Sequence, residues 1–257
     1  MLSYQHLYHA GNRADVHKHA LLAFMLAYLT AKPKPLSYIE THAGRGLYDL
    51  AAPEAERTGE AGAGIARLLP RFAPDHPYAV AVAAARAAHG PSAYPGSPMI
   101  AAQMARPDDR LHLAELHPQE YAALRAALGR KARVSQADGF ELAQSLTPPE
   151  PRRGLLLCDP SYEVKADYAR IPGFLAGIAR KWNVGTLALW YPILPGAPHR
   201  PMTEALRAAF PEALLSEARF AQLRAGKGIE GSGLFVVNPP WGLAEEAARI
   251  EALVSAP

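Results

Sequence analysis

The chain has 257 residues, of which 49% are hydrophobic and 20% are charged, and its mean hydropathy is -0.08. This composition excludes a disordered or fibrous protein, and the length suits one domain with room for an insertion. No apolar run approaches the ~20 residues that span a bilayer, and the first residues lack a secretory pattern, so we expect a cytoplasmic protein with no membrane segment. A single cysteine, Cys158, excludes an internal disulfide and a zinc site of several cysteines.

The basic residues of the chain are mostly arginine. The net charge is +3 and the isoelectric point about 9.0, with 20 arginines against 7 lysines. The planar guanidinium fork suits phosphate, so this excess is compatible with a nucleic-acid partner, although codon usage in a GC-rich genome explains it equally well. Basic clusters, each of which could also be an ordinary solvated face, lie at 13–19, 130–133, 152–153 and 224–227.

Short apolar runs alternate with patterns of helical period along the chain. Strands are predicted at 36–40, 111–115, 132–136, 154–158, 186–191 and 234–237, with a weaker one at 217–223. Helices are predicted at 15–30, 118–128, 139–145, 168–181, 202–210 and 243–254. This alternation indicates an α/β fold, with parallel crossovers and an open sheet covered by helices on both faces.

The first crossover is unusually long. A dinucleotide-binding fold usually places its ribose-binding acid about 20 residues after its glycine turn, whereas Glu115 lies 69 residues after Gly46. We therefore expect a small helical insertion subdomain at 50–97, with helices at 60–69 and 78–89. A long crossover with two packed helices is the alternative.

Chemistry-bearing residues follow four of the predicted strands, where ligands bind in open α/β sheets. The first strand leads into the glycine-rich turn 41–46, and the next two end at Glu115 and at Asp138 with Gly139. A glycine turn with an acidic strand tip predicts an adenosine-containing cofactor, because two carboxylate oxygens match paired ribose hydroxyls. A dinucleotide and S-adenosylmethionine both fit, since the turn lacks a full G-x-G-x-x-G and has no Walker A lysine.

The fourth tip reads Asp159, Pro160, Ser161 and Tyr162. A carboxylate and a neighbouring carbonyl can accept hydrogen bonds from an exocyclic amine while an aromatic side chain stacks on the ring that bears it. The pattern therefore predicts an amine-methylating site, with an Asp-Pro turn beside a core tyrosine as the alternative. The segment 238–241 carries a similar pattern, but it follows the last predicted strand, and we expect a structural turn there.

Taken together, these segments resemble the ribosomal large-subunit methyltransferase J family, which methylates the N6 amine of one adenine in 23S ribosomal RNA. The resemblance runs nearly end to end. The matching segments are 1–4, 9–12, 14–15, 18–19, 41–44, 56–59, 94–98, 115–118, 137–139, 152–154, 188–192 and 238–241.

The resemblance implies a Rossmann-like S-adenosylmethionine-dependent methyltransferase domain spanning 1–257. We also expect a monomer, and no metal, because the sulfonium already activates the methyl group. By that resemblance, Asp159 would be catalytic, Tyr4 would contact the RNA, and the cofactor would be contacted by His19, His42, Ser97, Glu115, Asp138 and Gly139. From the motif itself we expect Pro160 and Tyr162 to act with Asp159 in catalysis, and Tyr162 to contact the substrate. We also expect Asp159 to contact the cofactor and Lys18 to contact the RNA.

One position departs from the family pattern. Ser161 stands where the family usually has a second proline, but the carboxylate, carbonyl and ring of the motif remain, so we expect activity to survive. Residue by residue, plainer roles are open: Lys18 and His19 could face solvent, and Glu115 and Asp138 could cap helices. For the whole protein the alternatives are a DNA adenine-N6 methyltransferase and a non-catalytic nucleic-acid-binding protein, with a dehydrogenase more distant.

Overall fold

The computed structural model describes residues 6–220 and 228–256, which form a twisted sheet flanked by helices. The sheet has seven strands in the order β5-β4-β1-β6-β7-β9-β8. The strands are β1 (Ser37–Glu40), β4 (Arg110–Ala114), β5 (Arg133–Ser135), β6 (Gly154–Cys158), β7 (Thr186–Ile193), β8 (Leu214–Arg219) and β9 (Gly231–Val237), while β2 (Leu47–Asp49) and β3 (Ala93–Pro95) form a separate antiparallel pair.

Helices cover both faces of the sheet. Those of the described residues are α1 (Arg13–Thr30), α2 (Pro53–Thr58), α3 (Pro77–His89), α4 (Ser97–Met104), α5 (Pro118–Leu128), α6 (Gly139–Leu146), α7 (Asp167–Lys181), α8 (Arg200–Ala209) and α9 (Leu243–Ser255). Helix α1 is buried almost all round, because it contacts α3, α4 and α9 as well as the sheet. Within these same ranges, no helix is long and apolar enough to cross a membrane.

The central strands explain why the sequence forms this sheet. Every residue of β1 and β6 is buried, as parallel strands covered on both faces require. The strands β1, β4, β5, β6 and β7 run parallel, so their carboxyl ends share one edge of the sheet. That edge carries the side chains of the candidate site.

The expectation of parallel crossovers throughout is wrong at one side of the sheet. Strand β9 runs antiparallel to β7, pairing Leu187 with Val237 and Ile193 with Gly231, and β8 is antiparallel to β9. Only 11 residues separate Arg219 from Gly231, and a parallel crossover needs a dozen or more. The predicted strand at 217–223 is also misplaced: β8 begins earlier, and 221–223 lie outside the described residues.

The region 50–97 is helical but less regular than expected. The predicted helix at 60–69 is present but irregular, with a π-helical turn at Gly62–Ala66 and a 3-10 turn at Leu69–Arg71. Gly64 has non-helical angles (φ -95°, ψ -110°) and lies on the Gly11 backbone, where the carbonyl oxygen would be 2.1 Å from an added Cβ. The helices here pack on α1, and the treatment of 50–97 as a separate subdomain stays a prediction.

Candidate active site

A cleft of about 480 Å³ opens at the carboxyl edge of the parallel strands. It brings together residues that lie far apart in sequence. Of the site residues expected from sequence, those that line it are Lys18, His19, His42, Ser97, Glu115, Asp138, Gly139, Asp159, Pro160 and Tyr162. Tyr4 lies outside the described residues, as does the basic cluster at 224–227.

The glycine turn after β1 is tied to the tip of β4. The Gly44 amide donates to Glu115 Oε2 at 2.8 Å, and the His117 amide donates to Oε1 at 2.7 Å. Gly44 needs its left-handed backbone (φ 61°) to make this turn. The two hydrogen bonds hold the carboxylate in a fixed orientation at the cleft wall. Burial raises the pKa of Glu115, and the two amides oppose that shift.

After β5, the backbone at Gly139 packs closely against the backbone of Thr41, which follows β1. Asp138 Oδ1 accepts hydrogen bonds from the Phe140 and Glu141 amides, so this side chain does cap α6. Its other oxygen lies 3.6 Å from Arg170 Nη1. An added Cβ on Gly139 would lie 1.7 Å from the Thr41 carbonyl oxygen, so only glycine fits there. Asp138 therefore fixes the start of α6 and still offers an oxygen to the cleft.

Asp159 is paired with a buried cation. Lys18 Nζ lies 2.7 Å from Asp159 Oδ2 and 3.4 Å from Asp15 Oδ1, with side-chain exposures of 6% for Lys18 and 12% for Asp159. Burial alone lowers the pKa of Lys18, but the two carboxylates outweigh it and raise that pKa above its ordinary value. The solvent-facing alternative for Lys18 is therefore wrong.

His19 is also buried rather than exposed. Its Nδ1 lies 2.8 Å from the Tyr94 hydroxyl, and burial lowers its pKa to about 3. His42 packs edge-on against Phe140, and burial lowers its pKa to about 4. Both imidazoles are therefore neutral near pH 7, and neither repels a cationic ligand from the cleft.

Tyr162 is held by its hydroxyl and by its backbone. It has a positive φ of 57°, and its hydroxyl donates to the Trp190 carbonyl at 2.7 Å. The ring is buried, with its centroid 4.6 Å from that of Tyr168, yet the residue also lines the cleft. The core-tyrosine alternative thus describes part of its environment, and stacking on a substrate base stays a prediction.

Sequence reasoning missed the acid at the end of β1. Glu40 is fully buried and accepts hydrogen bonds from Ser97 Oγ at 2.5 Å and from the Tyr38 hydroxyl at 2.8 Å. Burial raises its pKa to about 8, and the nearby charge of Asp159 adds to that shift. Its position at a strand tip, like that of Glu115, was the available signal. Through Ser97 it joins the floor of the cleft to α4.

The segment 238–241 lies at the other edge of the sheet. Because β9 is antiparallel, its carboxyl end pairs with the beginning of β7, far from the tip of β6. Asn238 donates to the Asn183 and Gly185 carbonyls, and Trp241 is 85% exposed. These contacts fit the structural turn expected from the sequence.

Comparison with known proteins identifies the family. The model of the family described as "Ribosomal RNA large subunit methyltransferase D, RlmJ" matches residues 33–256. The chain belongs to this family. The family resemblance and the Rossmann-like α/β methyltransferase fold predicted from sequence are thereby confirmed.

Relatives match over nearly their whole length. Ribosomal RNA large subunit methyltransferase J of Escherichia coli K12 is 40% identical over 97% of this chain and 91% of its own length. The Haemophilus influenzae protein of the same name is 36% identical over 97% of this chain and 92% of its own. A crystal structure of a Legionella pneumophila protein, 36% identical, has a TM-score of 0.85 and covers 95% of this chain and 92% of that one.

Proposed function

We propose that this protein methylates the N6 amine of one adenine in 23S ribosomal RNA, with S-adenosylmethionine as the methyl donor. Membership of the RlmJ family makes it an S-adenosylmethionine-dependent ribosomal RNA methyltransferase. The observation that supports the finer assignment is the placement of Asp159 in the same cleft as Glu115 and Asp138. Asp159, which would hold the substrate amine, and the two acids that would bind the donor nucleoside therefore line the same cleft.

The cleft residues fit the donor molecule. Glu115 presents an amide-anchored carboxylate that suits ribose hydroxyls, and Asp138 presents an oxygen that suits an adenine amine. Gly139 allows the close backbone approach that a nucleoside needs beside Thr41. When bound, S-adenosylmethionine supplies an activated methyl group. His19, His42 and Ser97 would complete its binding site.

Asp159 and the Pro160 carbonyl would hold the substrate amine. Accepting its two hydrogens leaves the nitrogen lone pair less conjugated with the ring and oriented towards the methyl group. Lys18 fixes the direction of the carboxylate through its 2.7 Å contact, so alignment is set before substrate arrives. After transfer the nitrogen loses one proton, which leaves along its hydrogen bond to an oxygen acceptor.

The adenine has to leave its stack to reach this site. Extrusion costs a few kcal/mol, and stacking on an aromatic side chain returns about 1–3 kcal/mol per base. Tyr162 is the side chain we assign to this contact, with Lys18 and Tyr4 as further RNA-binding residues. A ribosomal RNA substrate also supports action in the cytoplasm.

The deciding experiment compares methyl incorporation into unmodified 23S ribosomal RNA and into unmethylated duplex DNA. The proposal expects N6-methyladenine at one position of the RNA and none in the DNA, since RNA is distinguished by its 2′-hydroxyl. Methylation of DNA alone would establish the DNA methyltransferase alternative. Calorimetry with S-adenosylmethionine tests the non-catalytic alternative, which expects no binding of the donor.

A further inference from the structure

A second cavity, of about 300 Å³, lies between α8 and the end of β8, apart from the cleft described above. Arg200, Arg207 and Arg219 line it, together with the carboxylates of Glu204 and Glu217. Arg200 and Arg207 are seven residues apart, so they share one face of α8. Three guanidinium groups against two carboxylates leave the cavity positively charged.

One of the two carboxylates that would repel an anion from this cavity, that of Glu217, already has partners in the protein. Glu217 Oε1 accepts a 2.8 Å hydrogen bond from the Tyr191 hydroxyl, and its Oε2 lies 3.8 Å from Arg219 Nη2. Arg200 and Arg207, by contrast, make no ion pair with any residue in 6–220 or 228–256, and both are exposed. Two guanidinium forks are therefore available to a ligand.

A buried histidine also lines this cavity. His199 is 1% exposed, its ring stacks on Tyr191 at 5.3 Å, and its Nδ1 has no hydrogen-bond partner in the described part of the chain. Its Nε2 lies 3.7 Å from Glu217 Oε1. His199 directly precedes α8, whose amino terminus favours negative charge. An unpartnered buried nitrogen, a helix amino terminus and two free arginines thus meet in one place.

The cavity opens at the same edge of the sheet as the cleft. Arg219 pairs with Gly231, which pairs in turn with Ile193, the last residue of β7. Two strand spacings therefore separate Arg219 from Ile193, or about 10 Å. Pro192 and Leu194, on either side of Ile193, line the cleft. One polynucleotide can therefore reach both.

We infer that this cavity binds a backbone phosphate of the RNA substrate at a nucleotide other than the methylated adenine. The inference rests on the proposed function for the identity of the polynucleotide. A phosphodiester matches the planar fork of arginine, and bidentate contacts fix both position and direction. Phosphate contacts of this kind position a nucleic acid without reading its bases. The arginines would set which RNA segment lies across the cleft.

The test uses the double variant R200A/R207A of the full chain and a matched control, R110A/R180A. Arg110 begins β4 and Arg180 lies in the last turn of α7; both are exposed, so the control removes the same charge from the opposite edge of the sheet. Affinity for an unmodified 23S ribosomal RNA fragment is measured directly between about 50 and about 200 mM salt. The kinetics of methyl transfer are measured in parallel.

Affinity for RNA falls as the salt concentration rises. If the cavity binds a phosphate, the negative slope of log affinity against log salt should become shallower by about 1 to 2 in R200A/R207A and stay unchanged in the control. KM for RNA should rise by about tenfold while kcat and S-adenosylmethionine affinity stay at the wild-type values. Equal RNA affinity of both variants across the salt series overturns the inference. Binding of polyglutamate, a probe for an acidic protein, is measured with the same variants. Its loss in R200A/R207A with RNA affinity intact also overturns the inference and would assign the cavity to an acidic protein. Because RNA affinity is measured without turnover, failure of the methylation assay alone would bear on the proposed function and not on this cavity.

Discussion

Lys18 and Asp159 form a buried ion pair with a separation of 2.7 Å, which joins helix α1 to the loop that follows β6. Asp15 lies 3.4 Å from the same ammonium and is itself paired with His6 at 2.8 Å. Lys18 also lies 5.1 Å from the centre of the Trp190 ring. The amine-holding loop is therefore positioned by a helix that begins 146 residues before it.

Replacing Lys18 by methionine should destabilise the protein and slow methyl transfer. The change leaves Asp15 and Asp159 facing each other without their shared cation, and breaking a buried pair costs about 3 kcal/mol. Lys165→Met, which removes an exposed lysine, is the control and should leave the free energy of unfolding unchanged. Chemical denaturation measures the free energy of unfolding of both variants. Equal values for Lys18→Met and Lys165→Met would show that the buried ion pair does not stabilise the fold.

Substituting Gly139 by alanine should damage the fold locally at the cleft. The new Cβ would lie 1.7 Å from the Thr41 carbonyl oxygen, and relieving such a clash costs about 1–3 kcal/mol. Gly173→Ala, in α7 with nothing within 4 Å, should instead stabilise the protein by about 0.4–1 kcal/mol. We expect G139A to weaken S-adenosylmethionine binding as well, which calorimetry measures. Wild-type binding and stability in G139A would contradict the close approach of these backbones.

Glu40 should make stability fall as the pH rises. Its pKa is raised from 4.5 to about 8, mainly by burial, so the folded protein binds the proton more tightly than the unfolded chain does. The contribution is fully present below about pH 4.5 and is lost as the pH rises towards 8. Denaturation of wild type and Glu40→Gln at pH 5, 6.5 and 8 tests this. The wild type should lose more stability over that range than the variant, and parallel profiles would refute the assignment.

The Ser161→Pro variant tests the departure from the family pattern. The Ser161 hydroxyl oxygen accepts a long 3.5 Å hydrogen bond from the Glu163 amide, so replacement of the serine disturbs little. We expect wild type and S161P both to methylate RNA, with the stiffer backbone giving the higher rate. If wild type binds S-adenosylmethionine yet only S161P transfers the methyl group, serine at this position has abolished activity, contrary to our expectation.

Much of the architecture follows from the sequence pattern. The runs at 36–40 and 154–158 predict β1 and β6 well. Strand β6 is apolar throughout, as burial on both faces favours, and the run at 36–40 carries three apolar residues, Leu36, Tyr38 and Ile39, although Ser37 and Glu40 are polar. The three-residue strands β2 and β3 and the helix α4 were missed, since segments so short carry little periodicity. The direction of β9 was also missed, because apolar alternation is the same in parallel and antiparallel strands.

The candidate site shows the same division. Convergence of Glu115, Asp138 and Asp159 could be predicted, since the ends of parallel strands share one edge. The acids that support them, Asp15 and Glu40, were missed. The strand-tip position of Glu40 was a usable signal, but the burial of both carboxylates could not be predicted, because a buried carboxylate and an exposed one look alike in sequence. Their role depends on long-range partners such as Ser97, which lies 57 residues from Glu40.

We propose above that Asp159 holds the amine that receives the methyl group. The most direct test is methyl incorporation by Asp159→Ala into unmodified 23S ribosomal RNA, with S-adenosylmethionine affinity measured on the same preparation. Asp108→Ala, which removes an exposed aspartate from the amino edge of the sheet, is the matched control. We expect D159A to transfer no methyl group while it still binds the donor, and D108A to behave as wild type. Turnover of D159A near the wild-type rate would show that Asp159 does not hold the substrate amine.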